Sequence, residues 1–149
     1  MTRTNRPRRT ARQALRAAVV SLALVAAGAV SAHGNVIPQA VDTHTLPPLG
    51  KEWLTSNPYR GNKEAIRVGE SAFTQNCARC HGLEAISGGI APDLRYLPTG
   101  DEGDEIFIHR IRTGSTRNGR VYMPPFEGIF DQEAMWAIRA WLETVHVDQ

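Results

Sequence analysis

Cys77-Ala78-Arg79-Cys80-His81 is the densest chemistry in this 149-residue sequence. Two thiols three positions apart, followed at once by histidine, form the attachment pattern of a c-type haem. Each sulfur adds to one of the two haem vinyl groups, and the two residues between set the reach from one vinyl to the other. The adjacent imidazole of His81 then becomes the proximal iron ligand. Three other chemistries compete for the same residues. A redox disulfide of the thioredoxin kind needs the motif to open a helix within a βαβ unit, and no strand pattern is evident here. A zinc site needs at least one further well-spaced ligand, for which His109 is the candidate. A structural disulfide across so short a loop stabilises little. The total of two cysteines also excludes a disulfide-rich scaffold and a four-cysteine zinc site.

A haem held in this way needs a sixth ligand downstream, and the candidates are Met123, Met135, His109 and His146. Met135 lies among apolar residues of a helical pattern, where methionine commonly fills the core. His109 falls in a second helical pattern as a rim histidine, and His146 is close to the C-terminus. Met123 differs from these. It follows Tyr122 and precedes Pro124-Pro125-Phe126 in a loop, and the two prolines stiffen the backbone that would present the thioether.

The elements that must position these groups read as helices. From Lys63 to Asn76, Ala65, Ile66, Val68, Gly69, Ala72 and Phe73 recur at spacings of three and four. A second helix, capped by Asp104, carries Ile106, Phe107, Ile108 and Ile111 and stops near Gly114. A third, Gln132 to Thr144, is capped by Asp131 and has Met135, Trp136, Ile138, Trp141 and Leu142 as its apolar side. Glycine- and proline-containing loops join them, with a short apolar piece at Leu94 to Leu97 and a long loop at Ser115 to Gly128. The expectation is an all-α fold of three to four short helices. So few helices bury little surface, and cores of this size commonly need a staple.

The N-terminus changes the charge arithmetic. Residues 1–16 hold six arginines and no acidic residue, and Ala17 to Val30 is an apolar run of about 14 residues, shorter than the ~20 of a bilayer span. Val30-Ser31-Ala32 supplies small residues for cleavage, so residues 1–32 are expected to be a signal peptide rather than a membrane anchor. Arg8-Arg9 lacks the Phe-Leu pair of a twin-arginine signal, which favours ordinary secretion. Removing 32 residues and six arginines from a chain of net charge +2 leaves 117 residues at −4. The mature protein is then acidic, which argues against nucleic acid as a partner. Residues 33–62, with Pro38, Pro47, Pro48 and Pro58, read as an extended arm that Trp53 and Tyr59 pack onto a domain at 63–149.

From Ala65 to Val145 the sequence resembles a class I monohaem cytochrome c. Gly69 and Phe73 are similar to the family's first helix, where a small residue lets the last helix cross closely, and Trp141-Leu142 matches the aromatic-aliphatic pair on that last helix. Ala91-Pro92-Asp93-Leu94 resembles the loop whose proline carbonyl accepts the proton on the far nitrogen of the haem-binding histidine. Ile111-Arg112-Thr113-Gly114 and Met123-Pro124 resemble the segment ending in the methionine ligand. The resemblance implies the small cytochrome c fold around one covalent haem c, with Met123 as axial ligand opposite His81, and Pro92 orienting His81. It implies electron transfer and not enzymatic catalysis.

A narrower likeness is carried by His33-Gly34-Asn35-Val36, Leu46-Pro47-Pro48-Leu49-Gly50, Asn57-Pro58-Tyr59-Arg60-Gly61-Asn62, Gly82-Leu83-Glu84-Ala85-Ile86-Ser87-Gly88-Gly89 and Met123-Pro124-Pro125-Phe126. These resemble the soluble periplasmic cytochromes c that accept electrons from PQQ-dependent alcohol dehydrogenases. The resemblance implies such a quinoprotein as electron donor, a terminal oxidase or another cytochrome as acceptor, and no permanent membrane span in the mature form. The alternative is a sensing, ligand-binding or peroxidase-type haem protein in which Met123 is displaced on demand. Trp136 and Trp141 are expected to pack against helices or haem. The acidic run Asp101, Glu102, Asp104 and Glu105 is expected to be solvated, with docking as the sharper reading.

Overall fold

The computed structural model describes residues 37–148; the expected signal peptide and the start of the arm lie outside them. Helix α1 spans Lys63–Asn76 because Asn62 caps it, its side-chain oxygen accepting from the backbone nitrogens of Glu64 and Ala65 at 3.0 and 3.1 Å. Its apolar stripe of Ala65, Val68, Ala72 and Phe73 is buried. After Cys77 the chain makes a single further turn, α2 (Ala78–His81), followed by 3₁₀ turns at Leu83–Ala85 and Leu94–Tyr96. Helix α3 runs Gly100–Thr113 and α4 runs Gln132–Thr144, the latter capped by Asp131, whose carboxylate accepts from Ala134 N at 2.7 Å.

Helices α1 and α4 cross at Gly69. A methyl group placed on Gly69 would lie 1.9 Å from the carbonyl oxygen of Ala137, so the backbones touch where a side chain would otherwise stand. One turn further along, Phe73 and Trp141 meet with ring centroids 4.5 Å apart. Every residue of α4 from Ala134 to Leu142 is buried. A helix covered on all sides is the centre of the fold and not a wall of it.

Two expectations are corrected. The segment 115–128 is not all loop: Ser115–Arg117 (β1) and Arg120–Met123 (β2) pair antiparallel around an Asn118-Gly119 turn. Both turn residues have positive φ, 50° and 73°, as a tight hairpin twisting with its strands requires. That Asn-Gly dipeptide was the available signal, hidden by strands too short to show alternation. Asp104 is the second correction. It neither caps α3, which starts at Gly100 after Thr99, nor belongs to a solvated acidic run. Its side chain is fully buried, accepting from Arg139 Nε at 2.7 Å, Arg60 Nη2 at 2.6 Å and Asn57 N at 2.7 Å. A carboxylate is tolerated there because two guanidinium groups and a backbone N–H replace its water.

The same cluster fastens the arm. Residues 37–62 form no helix or strand, yet Tyr59 and Leu46 are buried in the core. Gln132 of α4 donates to the carbonyls of Gly50 and Glu52 at 2.9 and 3.0 Å, and Glu133 accepts from Leu49 N at 2.7 Å. Trp53 is half-buried beneath the Arg112 guanidinium, 4.1 Å above its ring.

Candidate functional site

The α1–α2 junction presents Cys77 and Cys80 on successive turns, both as free thiols. Cys77 is partly covered by the core, whereas Cys80 is exposed. Burial, with Cys80 beside it, pushes the Cys77 thiol up to about 12, so before attachment it is a neutral thiol. His81 ends α2. Its Nδ1 lies 3.0 Å from the carbonyl oxygen of Pro92, and its ring centroid is 6.5 Å from that of Phe73. Because a carbonyl only accepts, this contact places a proton on Nδ1, and in the neutral ring the lone pair is then on Nε2, the nitrogen a ligand would use.

The loop that brings Pro92 to His81 is built by short polar contacts. Ser87 donates its hydroxyl to the carbonyl of Ala91, and its backbone N–H donates to Asp93 at 3.4 Å. Asp93 also accepts from Arg95 N and from the Arg95 guanidinium at 3.1 and 2.8 Å. The Arg95 guanidinium holds the Asp93 carboxyl down at about 2, so it is ionised throughout the working range. Ser87 and Asp93 were not singled out as site residues from sequence, since only the folded loop shows what they hold.

Met123 is the last residue of β2 and packs, partly buried, against the core. Its backbone is gripped from both sides. Gly114, at φ 69°, approaches so closely that an added methyl would lie 2.4 Å from Met123 O and 2.7 Å from Pro125 N. On the far side, Phe126 N donates to Ile111 O at 2.9 Å, and the Phe126 ring stacks on Phe130 at 4.9 Å. Gly114 therefore does more than stop α3; no other residue fits both the conformation and the space. Of the other sixth-ligand candidates, Met135 is buried in the core, His109 is exposed on α3, and His146 places Nε2 3.3 Å from Asp148.

The donor set and its surroundings fit a haem. Two free thiols at the attachment spacing stand next to an imidazole whose Nδ1 is engaged by Pro92 O, so that Nε2 is the nitrogen available to a ligand. The loops that follow carry large apolar side chains that the protein itself does not cover: Leu83 is 70% exposed, Ile90 77%, and Ile86 and Tyr96 nearly half. A run of such residues beside a polar motif is the surface that an apolar cofactor would cover. Among the described residues no cluster of three or more histidine, cysteine or carboxylate side chains offers a separate metal site.

Helices packed around a Cys-x-x-Cys-His segment define a c-type cytochrome. The chain belongs to that family: residues 64–142 match the family described as cytochrome c oxidase, cbb3-type, subunit III. It is 55% identical over 139 residues to cytochrome c550 of Pseudomonas aeruginosa, covering 91% of this chain and 96% of that protein. It is 32% identical over 125 residues to quinohemoprotein alcohol dehydrogenase ADH-IIG of Pseudomonas putida, across 78% of this chain but only 17% of the dehydrogenase. The crystal structure of cytochrome CL from Methylophaga aminisulfidivorans shares the fold, with a TM-score of 0.51 and 24% identity over 70% of this chain and 73% of that one. The protein is thus an electron-transfer cytochrome with covalently bound haem c, and not an enzyme.

Proposed function

We propose that this cytochrome is a periplasmic one-electron carrier with His81/Met123 ligation that accepts electrons from a PQQ-dependent alcohol dehydrogenase. Cys77 and Cys80 hold the haem, which supplies reversible one-electron iron chemistry when bound. His81 offers Nε2 while Pro92 fixes its ring and increases its donor strength through Nδ1. The grip of Gly114 and the Ile111–Phe126 hydrogen bond on the Met123-Pro124-Pro125 segment is the observation that carries the ligand assignment. It restrains the backbone of Met123, and a restrained methionine favours permanent ligation over a displaceable position for oxygen or peroxide.

Support for the partner comes from the likeness to ADH-IIG and to quinohemoprotein alcohol dehydrogenase ADH IIB, each confined to a small part of the dehydrogenase. A chain that matches one portion of a larger redox enzyme is suited to act as the separate counterpart of that portion. No helix among the described residues is long and apolar enough to cross a membrane. Likeness to cbb3-type oxidase subunit FixP of Rhizobium etli supports an oxidase on the acceptor side.

Two measurements test this reading. The weak red absorption band of methionine-ligated ferric haem should be present and should vanish in Met123→Ala; a retained band would reassign the ligand. Mixing the ferric protein with reduced quinoprotein alcohol dehydrogenase should reduce it faster than an unrelated cytochrome c. Equal rates would remove the partner while leaving the carrier function.

A further inference from the structure

The hairpin that ends in Met123 has a composition at odds with the rest of the chain. Between Glu105 and Glu127 there are four arginines and no carboxylate, although the chain from His33 onward is net acidic. Arg112 is neutralised by Glu127 at 3.0 Å. Arg110 donates to the carbonyl of Gly114, at the base of the hairpin, and Arg117 and Arg120 stand at its tip. Among the described residues none of these three meets a carboxylate, whereas Arg60, Arg67, Arg95 and Arg139 all do.

Arg117 and Arg120 are also direct cross-strand partners. Like charges directly opposite each other weaken a hairpin, so local stability does not account for this pairing. The register adds a second feature. Between the pairs Thr116–Val121 and Ser115–Met123, β2 advances two residues while β1 advances one, so Tyr122 is the extra residue of a bulge. Val121 and Tyr122 are consequently both exposed, at 65% and 63%, and the Arg117 guanidinium lies 5.9 Å from the Tyr122 ring. At about 3.3 Å per residue, Arg120 is within about 10 Å of Met123 along the strand.

We infer that this arginine-tipped hairpin, with Tyr122 and Val121 at its side, is the surface on which the electron-donating protein docks through a carboxylate-bearing patch. The inference rests on the dehydrogenase reading above and adds the place and charge of contact. Unpaired cations attract the partner over distance, and the exposed aromatic and aliphatic side chains supply a small apolar contact once it arrives. A small interface of this kind suits an encounter that must also end quickly.

The test compares wild type with Arg117→Glu/Arg120→Glu, both shown by the red absorption band to keep their ligation. Reduction by the quinoprotein dehydrogenase, one electron per cytochrome, should slow about tenfold in the variant at low ionic strength, with the gap closing at high salt. Tyr122→Ala should slow it at both. Oxidation of the ferrous proteins by anionic hexacyanoferrate(III), which gains the one electron the cytochrome loses, should slow in the charge variant. Oxidation by cationic tris(phenanthroline)cobalt(III) should not. Unchanged dehydrogenase rates at low salt would overturn the inference, and so would an arginine-dependent affinity for phosphatidylglycerol vesicles or self-association without any rate effect. If the dehydrogenase fails to reduce even wild type, the partner reading falls. The inorganic pair then decides the hairpin: equal effects on both reagents overturn it, and an effect on the anion alone sustains it.

Discussion

The Nδ1 of His81 lies 3.0 Å from the carbonyl oxygen of Pro92, eleven residues along the chain. That contact sets the tautomer of the imidazole and depends on a loop that Ser87, Asp93 and Arg95 hold closed. Replacing Asp93 with alanine removes the carboxylate from this loop, a loss of about 1 kcal/mol of hydrogen bonding. The His81 Nδ1 proton of the ferrous protein should then exchange with solvent roughly fivefold faster, as NMR exchange would show. An unchanged rate would mean that Pro92 is held by other contacts.

Gly69 makes a sharper prediction about stability. With Ala137 O only 1.9 Å from the position of an added methyl, Gly69→Ala must push α1 and α4 apart. Chemical denaturation should show a loss of about 3 kcal/mol. Gly88→Ala, where no atom lies within 4 Å, should stay within about 0.5 kcal/mol of wild type. Similar losses at the two positions would show that the helices can readjust.

For the buried ion cluster, the order of effects matters. Arg139 is buried and touches Asp104, Pro98 O and Glu143, whereas Arg60 is partly exposed. Arg139→Met should cost about 3 kcal/mol by stranding a buried carboxylate. Arg60→Met should cost about 1 kcal/mol, since water can replace much of what is lost. A reversed order in denaturant melts would show that the arm, and not the helix pair, depends on the cluster.

Tyr59 links stability to alkaline pH. Burial, reinforced by Glu133 and Asp131, raises its phenol to about 12. In the unfolded chain a tyrosine ionises near ~10, so between about 10 and 12 the native state holds a proton that the unfolded state has lost. Its contribution is therefore complete below about pH 10 and is lost as pH rises towards 12. Tyr59→Phe should flatten this part of the stability–pH curve while leaving its slope at neutral pH unchanged. The phenolate absorbance of Tyr59 should rise only near unfolding; an ordinary titration near 10 would contradict the burial.

Much of the molecule was legible before it was folded. Cys77, Cys80 and His81 act as a contiguous unit, so their spacing alone specifies the chemistry. Helices α1 and α4 show their apolar period, and α4 its Asp131 cap, because both signals are local; the Asn62 cap of α1 came only with the structure. Asp104 was misread because a carboxylate in an acidic run gives no sign that Arg139, 35 residues later, and Arg60, 44 residues earlier, will enclose it. The hairpin was missed for a related reason: strands of three and four residues are too short to display a period.

The sequence by itself determined the cofactor, its attachment and the helical class, because those depend on residue type at short range. It also singled out Met123 through the prolines beside it. Only the tertiary structure decided how Ser87, Asp93 and Arg95 hold the Pro92 loop, how Gly114 grips the methionine backbone, and which charges remain at the surface. Each of these is a contact between residues far apart in the chain. Burial turned Asp104 inward and removed it from the acidic face, while a one-residue bulge turned Tyr122 outward beside Arg117 and Arg120, which meet no carboxylate among the described residues.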